Sequence, residues 1–303
     1  MLFPGDHVRR SKPRHGGSYV RASSRAYRFM VTAVVLMAAA VLAWPFAEPF
    51  LLKTEAVTLS GADLPEGIGS LRIVYLTDLH TDAFLAGTRV NGLINQVNSC
   101  GADLVLLGGD YASDTESAAA FFGSMPRLHA RYGVYAVMGS SDRSLEGGSI
   151  GTLRAAMLGA GVTPLVNSVN AIRIGTDTIY VAGLDDAEKG SPAIAALAAQ
   201  VRAEDYVILV SHSPAVIEES LFARDAAGKI GWFDLGLFGK THGGQIGFLP
   251  RFICGDEVPG TYLKGWAKQN RVDLLISSGV GTEKAPIRMF CPPQIHLITV
   301  RSE

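Results

Sequence analysis

The feature that most constrains this chain is a set of short apolar runs rich in β-formers, four of which end at an aspartate or histidine. SLRIVYLT (70–77) leads into Asp78-Leu79-His80, and DLVLLGG (103–109) into Asp110. DYVILVS (205–211) leads into His212, and WFDLGLFG (232–239) into Lys240-Thr241-His242. GVYAVMG (133–139), VDLLISSG (272–279) and QIHLITV (294–300) read as further strands. Runs of this length and composition read as buried strands. Between them, residues 88–97, 117–131 (interrupted at Pro126), 149–160 and 194–202 read as helices. Residues 163–183 read as short strands around the turn Gly175-Thr176-Asp177. Strands alternating with helices predict an α/β fold whose sheet faces are covered by helices. No repeat or low-complexity linker interrupts residues 55–303, so one domain is the economical reading.

Composition narrows the function. With 48% hydrophobic and 18% charged residues in 303, the chain has ample material for a core. A net charge of −1 argues against a nucleic-acid partner, which calls for a basic surplus. Cys100, Cys254 and Cys291 are too few and too scattered for a disulfide scaffold or zinc finger, and one Cys254–Cys291 bond stays open in an oxidising compartment.

The even charge conceals two unlike pieces. Residues 1–28 carry seven Lys and Arg against Asp6, a net of +6, which leaves −7 for the remainder. FMVTAVVLMAAAVLAWPFA (29–47) follows without a charge, and as a helix would span about 28 Å, close to the hydrocarbon thickness of a bilayer. A cleaved signal peptide shares the basic start and apolar run. Pro45-Phe46-Ala47 places proline where a small residue is wanted for cleavage, so the run reads as a retained single-pass anchor at 29–47. The basic segment 1–28 becomes a cytoplasmic tail, with residues 48–303 a domain on the far, periplasmic or extracytoplasmic, side of a bacterial inner membrane.

Each strand-end signal is weak alone. An Asp-x-His arises often by chance, Gly-Gly-Asp after a strand is usually a turn, and a lone strand-end histidine is usually just satisfied in place. Jointly they put carboxylates and imidazoles on the edge where open α/β sheets bind ligands.

The order Asp-x-His, Gly-Asp, Gly-Ser-Ser-Asp, His, Gly-Lys-Thr-His resembles the calcineurin-like metallophosphoesterases, whose signature reads Gly-Asn-His-Asp/Glu and Gly-His-x-His at the third and last motifs. The tail THGGQIGFLPRF and LLISSGVGTEKAPIRMFCPPQIHLITV is similar to a membrane-anchored bacterial branch that resembles UDP-2,3-diacylglucosamine pyrophosphatases and related phosphodiesterases. The resemblance implies a four-layer α/β/β/α sandwich of two mixed sheets. It also implies divalent metal (Mn, Zn or Fe) and hydrolysis of a phosphodiester or pyrophosphate bond by metal-activated water. The partner it implies is a phosphorylated or nucleotide-linked small molecule, lipid included.

Carried over residue by residue, the resemblance assigns the first metal to Asp78, His80, Asp110 and His242. The second would take Asp110, the residue at Ser140, His212 and the residue at Lys240. Two of those four are not the family's ligands, and a protonated ammonium repels a dication. Ser141 stands where the family has a histidine that orients or protonates, and Asp142 has lost that imidazole. His212 and Lys240 are the residues assigned to phosphoryl oxygens, with His212 also a metal ligand. The alternative is an inactive member that binds a phosphate ligand or protein at the membrane. Gly243-Gly244-Gln245 reads as a tight loop beside His242. Residues 246–271, with Phe248, Phe252, Tyr262, Trp266, Arg251, Lys264, Lys268 and Arg271, read as a solvated loop over the site, contact with lipid or an amphipathic substrate being the other reading.

Overall fold

A computed structural model describes residues 17–83, 87–144, 149–247 and 262–302. The chain divides into two compact units, Met1–Trp44 and Pro45–Glu303. The first unit holds most of one long helix, α1 (Gly17–Ala47), with Pro45 in its last turn, where a lost hydrogen bond costs little. The apolar run lies within this helix, which begins well inside the basic segment. The candidate membrane span covers Ser24–Phe50. Val35, Leu36, Met37 and Leu42 stand exposed on it, an apolar surface that water does not accommodate.

The second unit runs β1 (Lys53–Gly61), β2 (Ser70–Leu76), α2 (Gly87–Ser99), β3 (Leu104–Leu107), α3 (Thr115–Ser124), β4 (Val134–Ala136), α4 (Ile150–Gly159) and β5 (Val162–Pro164). There follow β6 (Ser168–Ile174), β7 (Asp177–Gly183), α5 (Ile194–Ala198), β8 (Val207–Ser211), α6 (Ile217–Phe222), β9 (Leu235–Phe238), β10 (Gly265–Gln269), β11 (Val272–Ile276) and β12 (Gln294–Ser302). Among the described residues they form two six-stranded sheets, ordered β1-β12-β2-β3-β4-β5 and β10-β11-β9-β8-β7-β6. Both are mixed: β12–β2, β10–β11 and β6–β7 pair antiparallel, the rest parallel.

Alternation along the strands builds the layers. Leu71, Ile73 and Tyr75 of β2 meet Ile208 and Val210 of β8 between the sheets. Val74 and Leu76 point the other way, onto a core that α2, α3 and α4 cover. Val207 and Leu209 pack outward beneath α5 and α6. The order is therefore α/β/β/α, as the resemblance implied.

Element ends follow local chemistry. α3 starts at Asp114, whose carboxylate accepts the Ser117 N–H at 2.8 Å, and stops at Met125, which is extended because Pro126 excludes the helical conformation before it. The expected helix 117–131 is thus shorter and begins earlier. α5 likewise ends at Ala198, short of 202. β1, α6 and β10 were not expected. β1 is exposed along most of its length, so it lacks the apolar run that marks a buried strand. β10 falls inside the segment 246–271 read as a loop, and Tyr262 is a buried core residue, not a loop aromatic. Phe248, Arg251 and Phe252 lie outside the described residues. Cys291 is a free buried thiol, and Cys254 lies outside the described residues.

Candidate metal centre

Four strand ends from the two sheets meet at one edge. Asp78 and His80 follow β2, Asp110 follows β3, His212 follows β8 and His242 follows β9. His80 Nε2 and His242 Nε2 face each other at 3.2 Å, and His242 Nε2 is 3.6 Å from Asp78 Oδ1. His212 Nε2 lies 3.1 Å from Asp110 Oδ2 and 4.0 Å from Asp78 Oδ1, and His80 Nε2 lies 3.9 Å from Asp110 Oδ2. Within each of the groups Asp78–His80–His242 and Asp78–Asp110–His212, one donor atom from every residue falls within 4.8 Å of the others. All five side chains are buried.

The backbone holds these side chains under strain. Asp78, His80, Asp110, Lys240 and His242 all have positive φ, between 42° and 68°. That conformation costs an L-residue about 1–2 kcal/mol and persists only where its surroundings over-determine it. Glycines make room. A Cβ on Gly139 would sit 2.2 Å from Asp110 Oδ1, and one on Gly279 (φ +67°) 2.7 Å from the Asp78 Cβ.

Hydrogen bonds fix the donors further. The Asp142 carboxylate accepts the N–H groups of Asp110, Tyr111 and Gly139 at 2.8–3.0 Å, so it shapes the turn that carries Asp110. Ser141 donates its N–H to Asp110 Oδ1 at 2.9 Å. His212 Nδ1 lies 2.8 Å from the Gly108 carbonyl, a contact that needs hydrogen on Nδ1 and turns Nε2 toward the carboxylates. The Lys240 N–H donates to Asp78 Oδ1 at 3.0 Å.

Electrostatics separate the two ends of the cluster. Burial, the neighbouring His80 and the buried Arg288 hold His242 well below the usual histidine range, in the neutral form that ligates metal. Burial also disfavours charge on His212, but Asp110 outweighs it and, with Asp78 and Asp186, pushes His212 up to about 10. Burial opposes the charge on Asp110 as well; the His212 and His80 charges and the Ser141 N–H nevertheless hold its carboxyl well below the normal range. Burial raises Asp78, partly offset by His212. Burial and the Asp110 charge push Asp142 up to about 7 against the pull of its N–H donors.

Buried carboxylates packed against imidazoles require a compensating positive charge. Here donor atoms converge in two groups of three that share Asp78, one with His80 and His242 and one with Asp110 and His212, and His212 Nε2 has no well-formed hydrogen bond. Mixed imidazole and carboxylate donors of this kind suit a divalent first-row cation, so the residues fit the metal the resemblance implied.

The five expected ligands are therefore brought together, and the remaining assigned residues are not. Lys240 sends its ammonium to Glu188, with which it forms a close ion pair, rather than to Asp110. Three contributors escaped the motif reading. Asp186 is buried beside the cluster with Oδ2 unpartnered. Arg288 is fully buried and donates to the carbonyls of Ser278, Gly281 and Cys291, fixing the loop under Asp78. Gln245 ties the His242 loop to the chain at Glu283 and Ala285. Of these, Asp186 carried a signal, as part of the acidic pair Asp185-Asp186 just after β7.

No family model matches the chain. It is 24% identical over 240 residues to an uncharacterized metallophosphoesterase of Helicobacter pylori, covering 74% of this chain and 58% of that protein. It is 28% identical over 198 residues to the transmembrane protein with metallophosphoesterase domain of Bos taurus, covering 60% of this chain and 43% of the relative. The chain thus spans little more than half of these relatives at most. Among solved structures, the Haemophilus influenzae NAD nucleotidase aligns at a TM-score of 0.45 and 15% identity, over 70% of this chain and 51% of that one. The chain is a sequence relative of proteins named metallophosphoesterases. The narrower likeness to UDP-2,3-diacylglucosamine pyrophosphatases is not carried by these relatives.

Proposed function

We propose that the chain is a membrane-anchored, metal-dependent phosphoesterase with one well-formed cation position. The observation that supports it is the buried convergence of Asp78 with His80 and His242 and of Asp78 with Asp110 and His212, all but His212 held at positive φ. The domain plan belongs to the same proposal: residues 1–28 form a cytoplasmic tail, 29–47 the anchor and 48–303 the phosphoesterase domain on the other side of the membrane. The apolar helix α1 fits a single-pass anchor, and the bovine relative is itself named a transmembrane protein.

Asp78, His80, Asp110 and His242 would hold a Mn²⁺, Zn²⁺ or Fe²⁺ ion, which when bound supplies Lewis-acid activation of water and of the phosphoryl group. Asp110 keeps its charge at neutral pH because His212, His80 and the Ser141 N–H stabilise it against burial. The Gly108 carbonyl orients His212 so that Nε2 faces the reacting volume. His212 and Lys240 would contact phosphoryl oxygens, Lys240 as a point charge after exchanging its Glu188 partner for the substrate. The substrate class is a phosphodiester or diphosphate small molecule, lipid-linked or nucleotide-linked.

A second reading is an inactive phosphate-ligand binder, favoured by the pairing of Lys240 with Glu188 and by serines at 140 and 141. Hydrolysis of a chromogenic phosphodiester by the full chain in detergent, titrated with Mn²⁺, separates the two. The proposal expects metal-dependent turnover that falls more than about 100-fold in Asp110→Ala. Turnover no higher than that of the variant would leave only the binder.

A further inference from the structure

We propose that residues 288–291 form a second membrane contact, in which Phe290 inserts at the lipid interface beside the end of α1 and joins the bilayer to the loop that supports the metal centre. This rests on the reading of α1 as a membrane anchor.

The end of the apolar helix is stitched to this loop. The Arg288 N–H donates to the Pro45 carbonyl at 2.9 Å. Glu48, buried although it directly follows the uncharged apolar run 29–47, accepts the Phe290 N–H at 2.9 Å and the Cys291 N–H at 2.5 Å. A chain that leaves a bilayer near Phe46 therefore carries residues 288–291 at interface depth, whatever tilt α1 adopts. The covalent path and three hydrogen bonds leave no other place for them.

What the loop exposes there suits lipid. Phe290 is 66% exposed at φ +57°, a left-handed conformation that a phenylalanine adopts only when held. Phe46, Phe50 and Leu51 are exposed in the same belt. The Arg89 guanidinium lies 4.1 Å from the centroid of the Phe50 ring and donates to the Pro49 carbonyl, while the Lys264 ammonium donates to the Phe290 carbonyl. Aromatic rings flanked by cations are the composition of a bilayer interface, where rings enter the headgroup boundary and cations meet phosphates. Among the other described residues of this unit Leu158, Phe222, Ile230 and Trp266 are exposed, at separate positions along the chain.

The contact reaches the site. The Cys291 thiol donates to the His242 carbonyl at 3.2 Å, and Arg288 braces Ser278 and Gly281 next to Asp78. One residue and one hydrogen bond separate Phe290 from a metal-ligand backbone, a path of about 12 Å.

Depth-dependent fluorescence quenching tests this. The full chain would be placed in vesicles of phosphatidylcholine and phosphatidylglycerol containing lipid brominated high on the acyl chain. Phe290→Trp and Leu158→Trp would be compared with the native protein. Leu158 is the control because α4 leads into β5, at the opposite edge of the sheet from β1, about 24 Å away by strand spacing. Native emission comes from Trp44, Trp232 and Trp266, and the part of it that Trp44→Phe removes reports whether the end of α1 is inserted. The proposal expects native quenching. It also expects at least about half of the emission added by Phe290→Trp to be quenched, while the emission added by Leu158→Trp is not. Native quenching with equal behaviour of the two added indoles would overturn the second contact alone. No native quenching would overturn the anchor and this proposal with it. A circular-dichroism melt unchanged by the exposed Phe-to-Trp exchange verifies the fold.

Discussion

The two halves of the metal centre are built to different standards. Around Asp78, His80, Asp110 and His242, every donor is buried, held at positive φ and flanked by glycine or by backbone hydrogen bonds. Around His212 the sequence supplies Ser140, Ser141 and Lys240, and the ammonium that replaces an imidazole leans away to Glu188. The charge balance differs accordingly: His242 is kept neutral, whereas His212 is driven to carry a proton between Asp110 and Asp78. The comparison teaches that one backbone scaffold carries both halves, since Lys240 shares the positive φ of the ligands and Gly109 leaves room for His212 as Gly139 does for Asp110.

Restoring the degraded half should give the largest change. Ser140→Asn, Ser141→His and Lys240→His together are expected to raise phosphodiesterase turnover by about 10²–10⁴-fold and to add a second bound metal, read by steady-state kinetics and elemental analysis. An unchanged rate would mean that these three positions do not limit turnover.

The intact half should be the more fragile. In Gly139→Ala the new Cβ must displace Asp110, and we expect metal affinity to fall about 10–100-fold with about 1–3 kcal/mol of stability lost in thermal melts. Ser140→Ala, on the other side of the comparison, should move neither quantity measurably.

A third prediction concerns the floor under Asp78. His296 Nε2 is 3.0 Å from the Ser277 hydroxyl, and its Nδ1 is 3.7 Å from a Glu55 carboxylate oxygen. Burial holds this histidine down at about 4. Between pH 4 and the unfolded value near 6.5 the unfolded chain binds the extra proton, so stability is full above about 6.5 and falls as the pH drops toward 4. The loss amounts to about 3 kcal/mol. Urea melts of His296→Gln should lack that decline, and a parallel decline in both proteins would refute the assignment. The smallest effect is expected from Glu188→Gln. Freeing Lys240 should lower KM for an anionic substrate by a few-fold, about what one exposed ion pair is worth.

Much of this was legible in the chain. The strand ends at Asp78, Asp110, His212 and His242 were readable because a buried strand must be an apolar run, and a polar ligand just beyond it interrupts that run visibly. The gap at Ser140, Ser141 and Lys240 was equally visible against the motif. β1 was not, since an exposed edge strand such as KTEAVTLSG carries no apolar period. Nor were the roles of Glu48 and Arg288. Their partners are backbone groups about 240 and 10 residues distant, and a carbonyl or N–H leaves no mark on a sequence. The pairing of Lys240 with Glu188 was not legible either, because Glu188 lies 52 residues away in a loop after β7.

The most direct measurement is metal stoichiometry. Full-length protein in detergent, loaded with excess Mn²⁺ and freed of weakly held ions, should retain about one metal per chain, and Asp110→Asn should retain none. Two tightly held ions in the native chain would contradict the asymmetry, and none would contradict the metal centre itself.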